Sequence, residues 1–193
     1  MIPKKIIDKR TNKYKIATKW LSTKWNKFML LIPKIRGDIA QYIMLDMIKS
    51  ENISIINNND NSLGYDFRFP SKISSVSMKQ DKLAEHKYSS EDDKGNFTLC
   101  QIRPNDTRYD FITVLLVYPH KEEYYLIEKN DLKYFNFPTC QHSNTTITTI
   151  TITKNNKYNN ILTSEGWNRN ELNTGDYGDG TFKDFIRLLK TVI

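Results

Sequence analysis

The order of residues predicts an α/β domain, a mixed central sheet flanked by helices and preceded by a helical basic N-terminus. Three observations carry this. Apolar residues recur at helical spacing through the first fifty positions, a series of short strand-like runs follows, and an amphipathic helix closes the chain from Thr181. That order of helices, strands and helix, without an internal repeat, suits a single domain.

The chain has 193 residues, 38% of them hydrophobic and 12% aromatic, enough for one domain with a real core. No run of 18 apolar residues occurs, so no membrane span is expected. The charged N-terminus lacks the apolar stretch of a signal peptide. Cys100 and Cys140 are too few for a disulfide framework. The expectation is a cytoplasmic protein with free thiols.

Charge is unevenly distributed. Residues 1–36 hold 11 Lys and Arg against the single acid Asp8, and the rest of the chain is close to neutral. This predicts a polyanion-binding arm on a near-neutral body, with a solvated helix face as the plainer alternative. Lys13, Lys15, Lys19, Lys24 and Lys27 are its candidate phosphate contacts.

Within the arm, Ile16, Trp20, Trp25, Phe28, Met29 and Ile32 recur at intervals that predict one helix, which Pro33 ends or kinks. A second helix is expected over residues 38–49, with Asp38 and Gln41 spaced as a capping box. NNNDNS at 57–62 reads as a loop. Strands are expected at 64–69 and 73–80, forming a hairpin across Pro70-Ser71. Residues 81–96, dense in charge of both signs, read as a loop or short helix. FTLCQIR at 97–103 and the continuous apolar run YDFITVLLVY at 109–118 read as strands, the second a central one. EYYLI at 123–127 is its hairpin partner. TTITTITIT at 145–153 is a weaker strand, and the glycine-rich TGDYGDG at 174–180 is not a phosphate-binding loop, since no Gly-Lys-Ser/Thr follows.

The stretch that proposes chemistry is GYDFRFPSKISSVSMK, residues 64–79. Asp66 closes one strand. Alternation on the next places Ser75, Ser77 and Lys79 on one face. Phosphodiester hydrolysis assisted by divalent ions needs oxygen ligands for the metal and a cation near the attacking water or the scissile phosphate. Asp66 and Lys79 supply those types; the plainer reading is a turn acid and a solvated strand lysine.

The run from residue 64 to 132 resembles the PD-(D/E)XK superfamily, and within it type II restriction-endonuclease-like proteins. The resemblance rests on Asp66, on Ser77-Met78-Lys79 in place of (D/E)-x-K, and on Phe97 with Gln101-Ile102-Arg103. It continues with Tyr109-Asp110 to Tyr118-Pro119 and with Lys129-Asn130-Asp131-Leu132. Arg36-Gly37-Asp38-Ile39-Ala40-Gln41 is similar to the family's first core helix. The chain departs from the pattern at Gln41 and Ser77, where the family offers acids; Glu85 is one carboxylate that a neighbouring element could supply.

The resemblance implies a restriction-endonuclease-like core over residues 37–135, followed by a polar region and the C-terminal helix over 136–193. It implies Asp66, Ser77 and Lys79 as catalytic residues, with Asp66 holding Mg2+, for which Mn2+ could substitute. Gln41, Gln101 and Arg103 would support the site. The implied partner is double-stranded DNA, cut by a homodimer. A catalytically weakened member that binds DNA or acts structurally is the alternative. The polar residues 141–160 could read base edges. His86, His120 and His142 share no metal spacing.

Overall fold

A computed structural model describes residues 17–58, 60, 63–71, 80–134, 148–153, 167–168 and 180–193. Its centre is a five-stranded mixed sheet. In spatial order it runs β1 (Ile56–Asn57), β2 (Phe67–Phe69), β3 (Lys82–Ser90), β5 (Phe111–Val117) and β6 (Glu122–Glu128). β3 and β5 are parallel, and the remaining pairs are antiparallel. β4 (Phe97–Ile102) leaves this sheet and pairs with β7 (Thr148–Thr153), which in turn pairs with β8 (Trp167–Asn168). The helices are α1 (Asn26–Met29), α2 (Pro33–Ser50) and α3 (Phe182–Val192).

The apolar run predicted as a central strand is β5, and all seven of its residues are buried. Its alternation splits the interior in two. Phe111, Leu115 and Val117 pack towards the helices with Tyr124 and Leu126 of β6. Ile112, Val114 and Leu116 pack on the other face with Tyr125 and Ile127, against Phe97, Leu99 and Ile102 of β4. A strand covered on both faces takes mostly apolar residues, which is why its sequence is a nearly continuous apolar run, broken only by Thr113, rather than alternating. Each such side chain taken from water contributes about 1.5–3 kcal/mol.

Two elements match expectation closely. The β5–β6 hairpin forms in register from Phe111 opposite Glu128 to Val117 opposite Glu122. α3 buries Phe185, Ile186 and Leu189, and Thr181 caps it by accepting a hydrogen bond from the Asp184 N–H at 3.1 Å.

Elsewhere the fold corrects the sequence. Residues 17–32 are not one helix but a 3-10 turn at Thr18–Trp20 and the short α1. Trp20, Trp25 and Phe28 are buried all the same. Pro33 opens α2 instead of ending a helix, because its missing N–H falls at a first-turn position that has no acceptor anyway. Asp38 consequently lies inside α2, and no capping box forms with Gln41. The largest correction is β3. The charge-dense segment expected as a loop is a nine-residue strand beside β5. Residues 73–79 of the strand predicted at 73–80 lie outside the described residues. Its expected hairpin partner, β2, pairs instead with β1 and β3.

Candidate active site

β2 pairs with β3 only as far as Ala84, whereas β5 accompanies β3 to Ser90. Among the described residues, the edge of β3 that faces away from β5 therefore loses its strand partner after Ala84. A cleft of about 670 Å³ opens along this edge. α2 contributes Arg36 and Gln41 to one wall and β4 contributes Cys100 and Gln101 to another. Arg103 follows β4, and Asp66, Glu85 and Lys87 lie between them.

Asp66, expected to close a strand, instead lies immediately before β2 begins. Its N–H donates to the Ala84 carbonyl at 2.9 Å, and its own carbonyl accepts from the Asn58 N–H at 2.8 Å. Its carboxylate Oδ2 accepts the His86 N–H at 2.7 Å. That last bond occupies the first unpaired donor on the β3 edge and seats the carboxylate against the backbone between Glu85 and Lys87. Asn58 also donates its side-chain amide to the Tyr65 carbonyl at 2.7 Å, tying down the approach to Asp66.

Glu85 and Lys87, two residues apart on a strand, project to the same side. Lys87 Nζ donates to Glu85 Oε1 at 2.5 Å, with both side chains nearly out of contact with solvent. Burial pushes the Asp66 carboxyl up to about 6, helped by the charge of Glu85 and opposed by the His86 N–H, Lys87 and Arg103. Two carboxylates crowded in one cleft are costly without a cation. The pair offers hard oxygen donors of the kind Mg2+ takes when it binds through one or two carboxylates and keeps several waters. The residues present therefore fit such an ion. Among the described residues, no cluster of three or more His, Cys, Asp or Glu forms a fuller metal cage.

His86 itself points away from this chemistry. It is buried, tilted against the Phe67 ring at 5.6 Å between centroids, and its Nδ1 shares a hydrogen bond with Thr113 Oγ1 at 3.0 Å. Burial and the nearby Lys87 charge push it down to about 3, so it is neutral.

The supporting residues expected from sequence converge on the cleft. Gln41 Nε2 donates to Asn57 Oδ1 at 3.0 Å, a structural bond between α2 and β1. Gln101 sits at a register shift between β4 and β7 with φ of 58°, a left-handed conformation uncommon for a residue with a side chain. Arg103 accepts the Tyr109 hydroxyl on its carbonyl at 2.6 Å. Asp66, Gln41, Gln101 and Arg103 thus share one cleft. Ser77 and Lys79 lie outside the described residues, as do Lys13 and Lys15.

Within the basic arm, Lys19 pairs with Glu91 at 3.2 Å and Lys24 pairs with Glu122, while Lys27 is exposed. Sequence reasoning named Glu85 as a possible carboxylate donor without a position for it, and did not find Lys87. The signal was present: Glu85-His86-Lys87 is an acid-x-lysine on the residues following Ala84. It was hidden because the buried face of β3 is carried by Ala84 and His86 rather than by large apolar residues.

No family model and no curated protein matches the chain. Among solved structures, the chain is similar to a bacterial homing endonuclease, I-Ssp6803I, at 18% identity and a TM-score of 0.41. That match covers 65% of this chain and 79% of the other, a likeness too slight to carry an argument about function.

Proposed function

We propose that the chain is a metal-dependent endonuclease acting on double-stranded DNA, with Asp66, Glu85 and Lys87 as its catalytic group. The observation that supports it most is the bond from the His86 N–H to Asp66 Oδ2 at 2.7 Å, which seats one carboxylate beside an acid-x-lysine on β3. Asp66 and Glu85 would hold Mg2+ or Mn2+. When bound, such an ion supplies Lewis-acid activation of water and offsets the charge developing on the phosphate. Lys87 is suited to orient the attacking water and to stabilise the negative charge that accumulates on the phosphoryl oxygens. Gln101 and Arg103 flank that group from the β4 side.

In this reading Glu85 and Lys87 take the roles that the sequence alone suggests for Ser77 and Lys79. The acid absent at position 77 is then supplied at position 85. The proposal agrees with the resemblance to PD-(D/E)XK nucleases and with their type II members, which would cut a symmetric duplex site as a homodimer. The test is incubation of supercoiled plasmid with the protein and Mg2+ or Mn2+. Discrete linear fragments are expected, abolished by chelation and by Asp66→Ala or Glu85→Gln. Cleavage that persists through either substitution would overturn the assignment.

One observation favours a second reading. Gln41 offers an amide where a third carboxylate would strengthen metal binding, as a DNA-binding protein without catalysis could tolerate. Salt-sensitive duplex binding with no cutting in Mn2+ would select that reading.

A further inference from the structure

The cleft extends past the carboxylates. Along the β3 edge it continues from His86 to Ser90, about 13 Å at the rise of a strand, and ends between Ser90 and the first turns of α2. Two polar groups buried at that end, Arg36 Nε and the Tyr88 hydroxyl, have no well-formed hydrogen bond among the described residues. Burial pushes the Tyr88 phenol up, with Ser90 and Arg36 as the groups that oppose the rise. Nη1 of Arg36 donates to the Met29 sulfur at 3.4 Å, a weak acceptor for a group with five N–H donors.

The arginines elsewhere in the described residues are engaged. Arg68 faces Asp81 at 3.1 Å, Arg108 faces Asp106 at 2.6 Å and Arg187 faces Asp184 at 2.6 Å. Arg36 and Arg103 form no close ion pair among the described residues, and both line the cleft. A buried donor left without an acceptor costs about 1–3 kcal/mol, more when the group is charged. Such a group is retained most economically where an external acceptor completes it. The wall beside Arg36 is also left open: a Cβ built on Gly37 meets nothing within 4 Å.

We propose that Arg36, with the Tyr88 hydroxyl and Ser90, forms a second phosphate-binding subsite at the far end of the cleft. It grips the backbone of the strand being cut a few nucleotides from the scissile phosphate. This rests on the nuclease reading of the same cleft. Arg103 then lies at the carboxylate end and Arg36 at the other, so the strand follows the open edge of β3 between them. A guanidinium suits this task because its fork presents paired donors to two phosphate oxygens. The Tyr88 hydroxyl adds one more donor from the strand floor.

The test uses a duplex oligonucleotide in metal-free buffer, with binding followed against salt concentration. Arg36→Ala is expected to weaken binding about tenfold or more and to reduce the salt slope by about one. Tyr88→Phe is expected to weaken it less. Arg36→Lys, which keeps the charge, is expected to restore the slope but not the full affinity. Replacing single phosphates by uncharged methylphosphonates tests the same point without altering the protein. Besides the scissile position, a second sensitive phosphate is expected a few nucleotides away, and its sensitivity should vanish in Arg36→Ala. Wild-type binding that Arg36→Ala leaves unchanged in affinity and slope would overturn the subsite alone. Absence of any duplex binding by the wild type would remove the nuclease reading and the subsite with it.

Discussion

The backbone N–H of His86 donates to the carboxylate of Asp66 at 2.7 Å, so a main-chain group of β3 positions the acid that immediately precedes β2. Asparagine at position 66 keeps an oxygen able to accept that bond but removes the charge. Since the folded protein raises the Asp66 carboxyl from 3.8 to about 6, this group favours folding fully below pH 3.8. That contribution is lost as pH rises through about 6. Two units correspond to about 3 kcal/mol. Asp66→Asn is therefore expected to abolish cleavage while raising stability at pH 7 by up to about 3 kcal/mol. Urea unfolding of both proteins measures it.

His86 has the opposite sign. Its folded value near 3 lies below its ordinary 6.5, so it contributes stability that is complete above pH 6.5 and lost as pH falls towards 3. Between about pH 4 and 6 the two groups oppose each other, and the wild type should show a shallow stability profile there. Removing the Asp66 term exposes the other. Asp66→Asn should lose stability continuously as pH falls from 6.5, and a profile parallel to wild type would show that the pair does not titrate as described.

The same proton on Asp66 competes with a divalent ion. Cleavage at limiting Mg2+ is expected to rise through about pH 6 as the carboxyl ionises, and the midpoint should move to lower pH as Mg2+ is increased. A midpoint that ignores metal concentration would separate this titration from metal binding.

Gln101 occupies a left-handed backbone conformation at the lip of the cleft. Glycine adopts that conformation without steric cost, so Gln101→Gly should relieve about 1 kcal/mol of strain and leave stability equal or higher. If the side chain serves the cleft, cleavage should fall nonetheless. Unchanged activity with higher stability would leave Gln101 no role there.

How much of this was legible in the sequence depends on what each segment has to bury. β5 could be read from Phe111 to Val117 because both its faces are covered, and α3 could be read because Phe185, Ile186 and Leu189 share one side. The alternation in β3 was illegible for a physical reason. Its helix-facing side buries Ala84 and an uncharged His86, whose Nδ1 is met by Thr113, and its other side carries the ion pair of Glu85 and Lys87. A strand with buried polar residues on both faces looks like a loop to a hydrophobicity pattern. Asp66, Gln41, Gln101 and Arg103 could be named from the order of segments, but the partners that join them could not. The helix start at Pro33 was misplaced because proline is a breaker inside a helix and a favoured residue at its first turn.

The central claim is that the lysine of the site is Lys87, on β3. The most direct measurement compares plasmid cleavage in Mg2+ by the wild type, Lys87→Ala and Lys79→Ala. Lys87→Ala should lose about 100-fold or more in rate when assayed below its own melting temperature, which is expected to fall because Glu85 loses its partner, and Lys79→Ala should cut nearly as well as wild type. Cleavage that survives Lys87→Ala and disappears in Lys79→Ala would contradict it.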